Sequence, residues 1–196
     1  STAAGPAFEG ARISCGMRGA PGAIDHVSVE GGRLKLHVIG DGIPTGICGS
    51  GLLDLVACLL DLGIISKRGR LEKPAKWPDE LKETYGARFV TRNNVSALLL
   101  TDDENGIYLS QKDIREVQLA KAAIASGIEL LCQEMKVADT DISQVLLAGA
   151  FGTYLSPKSA CRIGLIPEPL LDRIRAIGNA AGEGAKLAAC SRTVLE

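Results

Sequence analysis

Three glycine-rich stretches carry the residues best suited to chemistry. The first, Gly46-Ile47-Cys48-Gly49-Ser50-Gly51, runs straight into an apolar segment. A glycine turn at a helix start lets backbone N–H groups converge on an anion, and the helix dipole favours negative charge there. No lysine of the Walker type follows, so the turn is not that P-loop. The same glycines would also serve a tight loop and close helix packing. The second stretch, Gly149-Ala150-Phe151-Gly152, ends the strand-like run Gln144–Ala148. Ligands of open α/β sheets bind beyond the carboxyl ends of strands, and glycines there let backbone approach a flat ring or a sugar. An ordinary strand-to-loop turn reads the same way. The third stretch runs from Gly178 to Ala189 and is rich in glycine and alanine. It suits a helix approached closely by a nucleotide, by another backbone or by the sheet it packs on.

Other chemistries find little support. His26 and His37 alternate on neighbouring strands of one expected hairpin, a structural placement. No GxSxG nucleophile motif occurs. Asp102-Asp103-Glu104 fall where turn chemistry accounts for them. The six cysteines, Cys15, Cys48, Cys58, Cys132, Cys161 and Cys190, form no CxxC and have no histidine at metal spacing. They read as reduced thiols of a cytoplasmic protein, with Cys58 and Cys132 acting as small hydrophobes in helices.

The positioning elements follow from patterning. Ala23–Glu30 and Arg33–Ile39 predict a β-hairpin around Gly31-Gly32. Leu52 to Ile65 predicts a helix ending near Gly63. Residues 66–88 are polar and read as a surface excursion. A second hairpin joins Ser96–Thr101 to Ile107–Ser110. Ser110 and Asp113 make a capping box. Beyond it Ile114, Val117, Ala120, Ile124, Ile128, Leu131 and Met135 form one apolar stripe, which predicts a central core helix. Ser143–Ala148 reads as a buried strand, Leu155–Ile163 as a short helix and Arg173–Ile177 as another strand. Asn179 caps a last helix, Ala180 to Cys190. Hairpins followed by alternating helices and strands indicate an α/β layer architecture.

Composition narrows the classes further. With 196 residues, 46% of them hydrophobic, the chain can bury a substantial core. Its formal net charge of −1 and 4% aromatic content argue against a nucleic-acid partner. No apolar run approaches the length of a membrane span. The small-residue opening Ser1–Pro6, without an initiating methionine, predicts a C-terminal piece of a longer protein.

The three glycine stretches, in this order, resemble the second lobe of the ASKHA superfamily of acetate and sugar kinases, heat-shock chaperones and actin. The Gly46–Gly51 turn is also similar to that of activators of 2-hydroxyacyl-CoA dehydratases. Ala4-Gly5-Pro6-Ala7-Phe8-Glu9-Gly10-Ala11, Gly46–Leu52, Leu147-Ala148-Gly149-Ala150-Phe151-Gly152 and Gly178-Asn179-Ala180-Ala181-Gly182 together resemble the reductive activators of corrinoid proteins. The resemblance implies a ribonuclease-H-like, actin-like ASKHA lobe spanning residues 1–196, a mixed sheet flanked by helices, with inserted hairpins and an excursion over 66–110. It implies ATP with Mg2+, held jointly with a lobe outside the chain, and a [2Fe–2S] group on an N-terminal domain also outside it. The activity implied is ATP-dependent return of cob(II)alamin to cob(I)alamin on a corrinoid methyl-transfer protein. The implied partners are that protein, ATP or ADP, and a second copy of the chain. Gly149, Ala150, Phe151 and Gly152 would flank the adenosine. Gly46, Gly49, Ser50 and Gly51 would meet the phosphates or support that loop. Glu9, in the first string, and Glu183, at the nucleotide's edge, complete the expected site.

Two other readings share these residues. One is a small-molecule kinase or dehydratase activator, whose bridging cluster would call on Cys48. The other is a non-catalytic interaction domain that keeps the fold.

Overall fold

The computed structural model describes residues 5–101 and 106–190. Asp102, Asp103 and Glu104, read above as turn chemistry, lie outside the described residues. Strands β1 (Ala23–Glu30) and β2 (Arg33–Val38) form the expected antiparallel hairpin. Its turn residues Gly31 and Gly32 both have positive φ, which glycine adopts without strain. The short β3 (Gly46–Ile47) pairs parallel with β1. Helix α1 (Gly49–Asp61) follows at once, so Gly49-Ser50-Gly51 is the first turn of the helix and Gly46-Ile47 the strand before it. Leu52, Leu53, Leu55 and Leu59 of α1 are fully buried. A Cβ at Gly51 would stand 2.2 Å from the Ile24 carbonyl oxygen, so α1 lies directly on β1 backbone.

Residues 66–88 are more than a surface excursion. Leu71, Trp77, Leu81 and Tyr85 are buried in the common core, the last two on α2 (Asp79–Tyr85). Four-residue spacing puts Leu81 and Tyr85 on one face of α2, and Trp77 joins them from the extended chain before it. The Tyr85 hydroxyl accepts from the Leu34 amide at 2.6 Å, and Trp77 meets Phe89 edge-on at 5.9 Å. An antiparallel meander follows: β4 (Phe89–Arg92), β5 (Val95–Leu99) and β6 (Tyr108–Ser110). Patterning missed β4, whose turn to β5 is Asn93-Asn94 with both residues at positive φ.

Helix α3 (Gln111–Met135) starts with the expected capping box. Asp113 is fully buried and accepts from the Ser110 amide at 2.8 Å, the Ser110 hydroxyl at 2.7 Å, the Ser14 amide at 2.7 Å and the Ser14 hydroxyl at 3.0 Å. One carboxylate thus caps α3 and ties the N-terminal loop to it. The predicted core stripe holds for the first half of α3 only. Ile114, Val117 and Ala120 are buried, whereas Leu131 and Met135 are exposed, as are Leu119 and Leu130 on other faces.

The last third is β7 (Val145–Ala148), α4 (Gly149–Tyr154), α5 (Pro157–Arg162), β8 (Ile174–Gly178) and α6 (Ala180–Cys190). β7 and β8 pair in parallel, with Ala148 opposite Gly178. β7 alternates half-buried and exposed residues instead of being buried throughout. The helix expected over Leu155–Ile163 is the shorter α5, preceded by α4. Asn179 Oδ1 accepts from the Gly182 amide at 3.1 Å, the expected cap. α6 buries none of its residues, so close packing on a sheet is not the reason for its small side chains. Among the described residues the mixed parallel and antiparallel pairing is divided among three small sheets.

Both histidines are tied to carboxylates. They face each other across β1 and β2, His26 Nδ1 lying 3.1 Å from Asp54 Oδ2 and His37 Nδ1 2.5 Å from Asp25 Oδ1. Buried Asp54 also accepts from the Ser159 hydroxyl at 2.5 Å, which joins α1 to α5. Among the described residues no helix is long and apolar enough to cross a membrane.

Candidate functional site

A cleft of about 350 Å³ opens where the N-terminal loop, the start of α1 and helix α4 meet. Its walls include Phe8, Glu9, Arg18, Gly49, Ser50, Phe151 and Tyr154. The 3-10 turn Pro6–Glu9 is anchored by buried Ala7 and Phe8, which leaves Glu9 exposed. The Phe8 ring stacks on Phe151 with centroids 5.3 Å apart and planes 10° from parallel. Gly49 lies beneath this pair. A Cβ there would stand 2.0 Å from the Phe8 carbonyl oxygen and 3.0 Å from Phe151 Cε2. No side chain caps α1 at its start. Its first N–H groups, with the positive end of the helix dipole behind them, therefore remain for another acceptor.

A second feature adjoins the first through α4, which touches α1 on one side and β8 on the other. The carboxyl ends of β7 and β8 lie side by side there. Gly149 follows β7 with φ +84° and Gly178 ends β8 with φ +63°, and a Cβ at either would meet nothing within 4 Å. The result is a bare backbone ledge at the carboxyl end of a parallel strand pair, the place where α/β sheets receive ligands.

The expected residues divide accordingly. Glu9, Gly49, Ser50 and Phe151 line one cleft, Gly149 opens the ledge, and Ala150 lies between them on α4. Gly46, Gly51 and Gly152 instead serve close packing. Gly46 would meet Met17 Sδ at 2.8 Å and the Cys15 oxygen at 2.9 Å, Gly51 meets β1, and Gly152 would meet the Leu147 carbonyl carbon at 2.9 Å. For Gly46 and Gly51 the expected phosphate contact thus gives way to support of the loop. Glu183 is absent from the cleft wall and pairs with Lys186 at 2.7 Å on exposed α6. Cys48, which a bridging cluster would require to project outward, lines the same cleft at the N-cap of α1 but is 6% exposed, its Sγ 3.4 Å from Ser50 Oγ.

Sequence reasoning did not assign Phe8, Arg18 or Tyr154. Phe8 left a trace, since it and Phe151 are two of only three phenylalanines and both stand in glycine-rich strings. Arg18 and Tyr154 left none. Among the described residues Arg18 is the one cation on the cleft wall and Glu9 the one carboxylate.

The comparisons with known proteins agree in one direction. The family described as the C-terminal domain of RACo, the ASKHA domain, matches residues 1–196. Corrinoid activation enzyme RamQ of Eubacterium limosum is 43% identical over 95% of this chain and 32% of its own length. A Co(II) methylated amine-specific corrinoid protein reductase of Methanosarcina barkeri is 28% identical over 85% of this chain and 30% of its own length. The solved structure of a reductive activator for corrinoid, iron-sulfur protein matches with TM-score 0.84 and 33% identity, over 99% of this chain and 31% of that one. The chain therefore spans about a third of the length of these relatives. By its match across all 196 residues, and with an ASKHA fold, the chain belongs to the family of RACo C-terminal domains.

Proposed function

We propose that this chain is the C-terminal nucleotide-binding part of an ATP-dependent reductive activator, which returns cob(II)alamin to cob(I)alamin on a corrinoid methyl-transfer protein. Family membership supports this, as do relatives whose names state corrinoid activation or corrinoid-protein reduction. The observation that carries the nucleotide half is the adjacency of an uncapped helix start and a side-chain-free ledge, both touching α4. Phosphate oxygens need N–H donors, which the first turn of α1 offers. A purine needs backbone-lined access, which Gly149 and Gly178 offer.

In this reading Gly149, Ala150 and Phe151 flank the adenosine, Gly152 lets α4 close against Leu147 behind them, and Gly49 and Ser50 meet the phosphates. Glu9 and Arg18 set the charge at the cleft mouth. Mg2+ arrives with the nucleotide, keeping several waters and using few carboxylates, and Glu9 is the carboxylate at hand. ATP supplies free energy for closing this domain onto the rest of the full protein, through its greater affinity for the closed arrangement. The electrons come from an iron–sulfur group held outside this chain.

Calorimetric titration of the full-length protein with MgATP tests the reading. Gly149→Val puts a branched side chain on the ledge and should weaken ATP binding by about tenfold or more, roughly the 1.4 kcal/mol of one lost contact group. Far-UV circular dichroism should stay at wild type. Unchanged affinity contradicts the site. Reduction of the corrinoid partner, followed by cobalt absorbance, should require ATP, and ATP-independent reduction contradicts the activity.

A further inference from the structure

A larger cleft, of about 790 Å³, shares no residue with the one above. It lies between the turn at residues 66–70, the start of β5 and the first turns of α3. Arg68, Arg70, Lys73, Lys112 and Arg115 surround it, and among the described residues no carboxylate lines it. None of the five forms an ion pair among the described residues. Glu72, the carboxylate that feels Arg70, is held by Lys76 at 2.8 Å. In a chain whose formal net charge is −1, this is a concentrated positive field.

The backbone under these charges is fixed. Gln111 Nε2 donates to the Gly69 oxygen at 2.8 Å, and its Oε1 accepts from the Leu71 amide at 2.7 Å. Gln118 Nε2 donates to the Arg68 oxygen at 3.1 Å. The turn bearing Arg68 and Arg70 is thereby clamped to the helix bearing Lys112 and Arg115. The same clamp that seats Leu71 in the core also preorganises a charge pattern on the turn.

We propose that this cleft docks a carboxylate-rich segment of a protein partner. A small phosphate ligand would use the N–H groups at the start of α3, but the capping box and buried Asp113 already occupy that helix end. A single-stranded nucleic acid would use aromatic platforms, and no aromatic side chain lines the cleft. Exposed cations on long stems around a wide, polar opening suit carboxylates at a protein surface, where charge complementarity sets encounter rate and orientation. Naming that partner as the corrinoid protein rests on the activator reading, whereas the sign of the charge does not.

The test uses the full-length protein and a fluorescent oligo-glutamate peptide, followed by anisotropy. The peptide should bind, and binding should weaken steadily as salt shortens the screening length. The triple variant R68Q/R70Q/R115Q should lose about tenfold in peptide affinity, a typical effect of removing several complementary charges. Its ATP affinity should match wild type. With the corrinoid partner, the same variant should raise the KM for that protein and leave kcat unchanged. Lys112→Glu, a single exposed change, should reproduce the direction. Peptide binding that is salt-independent or unaltered by the variants overturns the proposal. So does preferential binding of tripolyphosphate or of a single-stranded oligonucleotide. Wild-type protein that binds the peptide but not ATP removes the activator reading and leaves the docking cleft standing.

Discussion

Gly49 and Gly149 flank the same region, yet substitution should damage them for opposite reasons. Gly49 has ordinary helical backbone and no space. An alanine there brings Cβ to 2.0 Å from the Phe8 oxygen, and since real Cβ contacts stay beyond 3.0 Å, α1 and the N-terminal loop must part by at least about 1 Å. Overpacking of this kind costs roughly 1–3 kcal/mol, and losing the Phe8–Phe151 stack adds roughly 0.5–1.5. Helix propensity returns about 1 kcal/mol, leaving a net loss of about 0.5–3.5, centred near 2. Gly149 has space but φ +84°, so alanine there costs about 1–2 kcal/mol of left-handed strain, offset by about 0.5 from reduced freedom of the unfolded chain. A multidomain protein does not melt in two states, so amide hydrogen exchange of the full-length protein is the suitable assay. Gly49→Ala should lower protection across α1 by a factor of about thirty, and Gly149→Ala should lower it by less than about tenfold and only around β7 and α4. Equal effects, or greater loss at Gly149, would refute the packing argument.

Asp113→Ala strips a buried carboxylate from four donors and should destabilise by about 3 kcal/mol, combining a lost cap with unpaired buried groups; chemical denaturation followed at α3 checks this. The Asp25 carboxylate raises the pKa of His37, so the stabilisation from that pair is complete below the ordinary histidine value of about 6.5 and fades as pH rises through the raised folded value. His37→Gln should remove that component of the pH dependence of the β1–β2 opening free energy read by amide exchange, and an unchanged profile would contradict it. Burial pushes the Cys58 thiol up to about 11, so at pH 8 it should react with a disulfide reagent far more slowly than exposed Cys190, as site-resolved mass spectrometry would show.

Local chemistry made some of these elements readable from the chain alone. Gly31-Gly32 between alternating strands, the Ser110–Asp113 box and the Asn179 cap each act within four residues, and all three formed as their types dictate. Trp77, Leu81 and Tyr85 were obscured because polar residues between them dominate the composition of 66–88. The exposed end of the α3 stripe could not be foreseen, since periodicity shows which residues share a face and not whether anything covers it. Glycine is ambiguous in the same way. Gly46 and Gly51 admit a neighbouring backbone, Gly149 opens a ledge, and the sequence writes all three alike. Glu9, Gly49, Ser50 and Phe151 were recognisable through their motifs, while Arg18 and Tyr154 reach the cleft only through the course of the folded chain.

The most direct measurement is hydrogen exchange on the full-length protein with and without MgATP. Bound nucleotide should slow exchange at Phe8 and Glu9, at Gly49 to Gly51, and at Gly149 to Gly152, the segments that converge on α4. Protection confined to other segments, with these unchanged at saturating ATP, would contradict the nucleotide site.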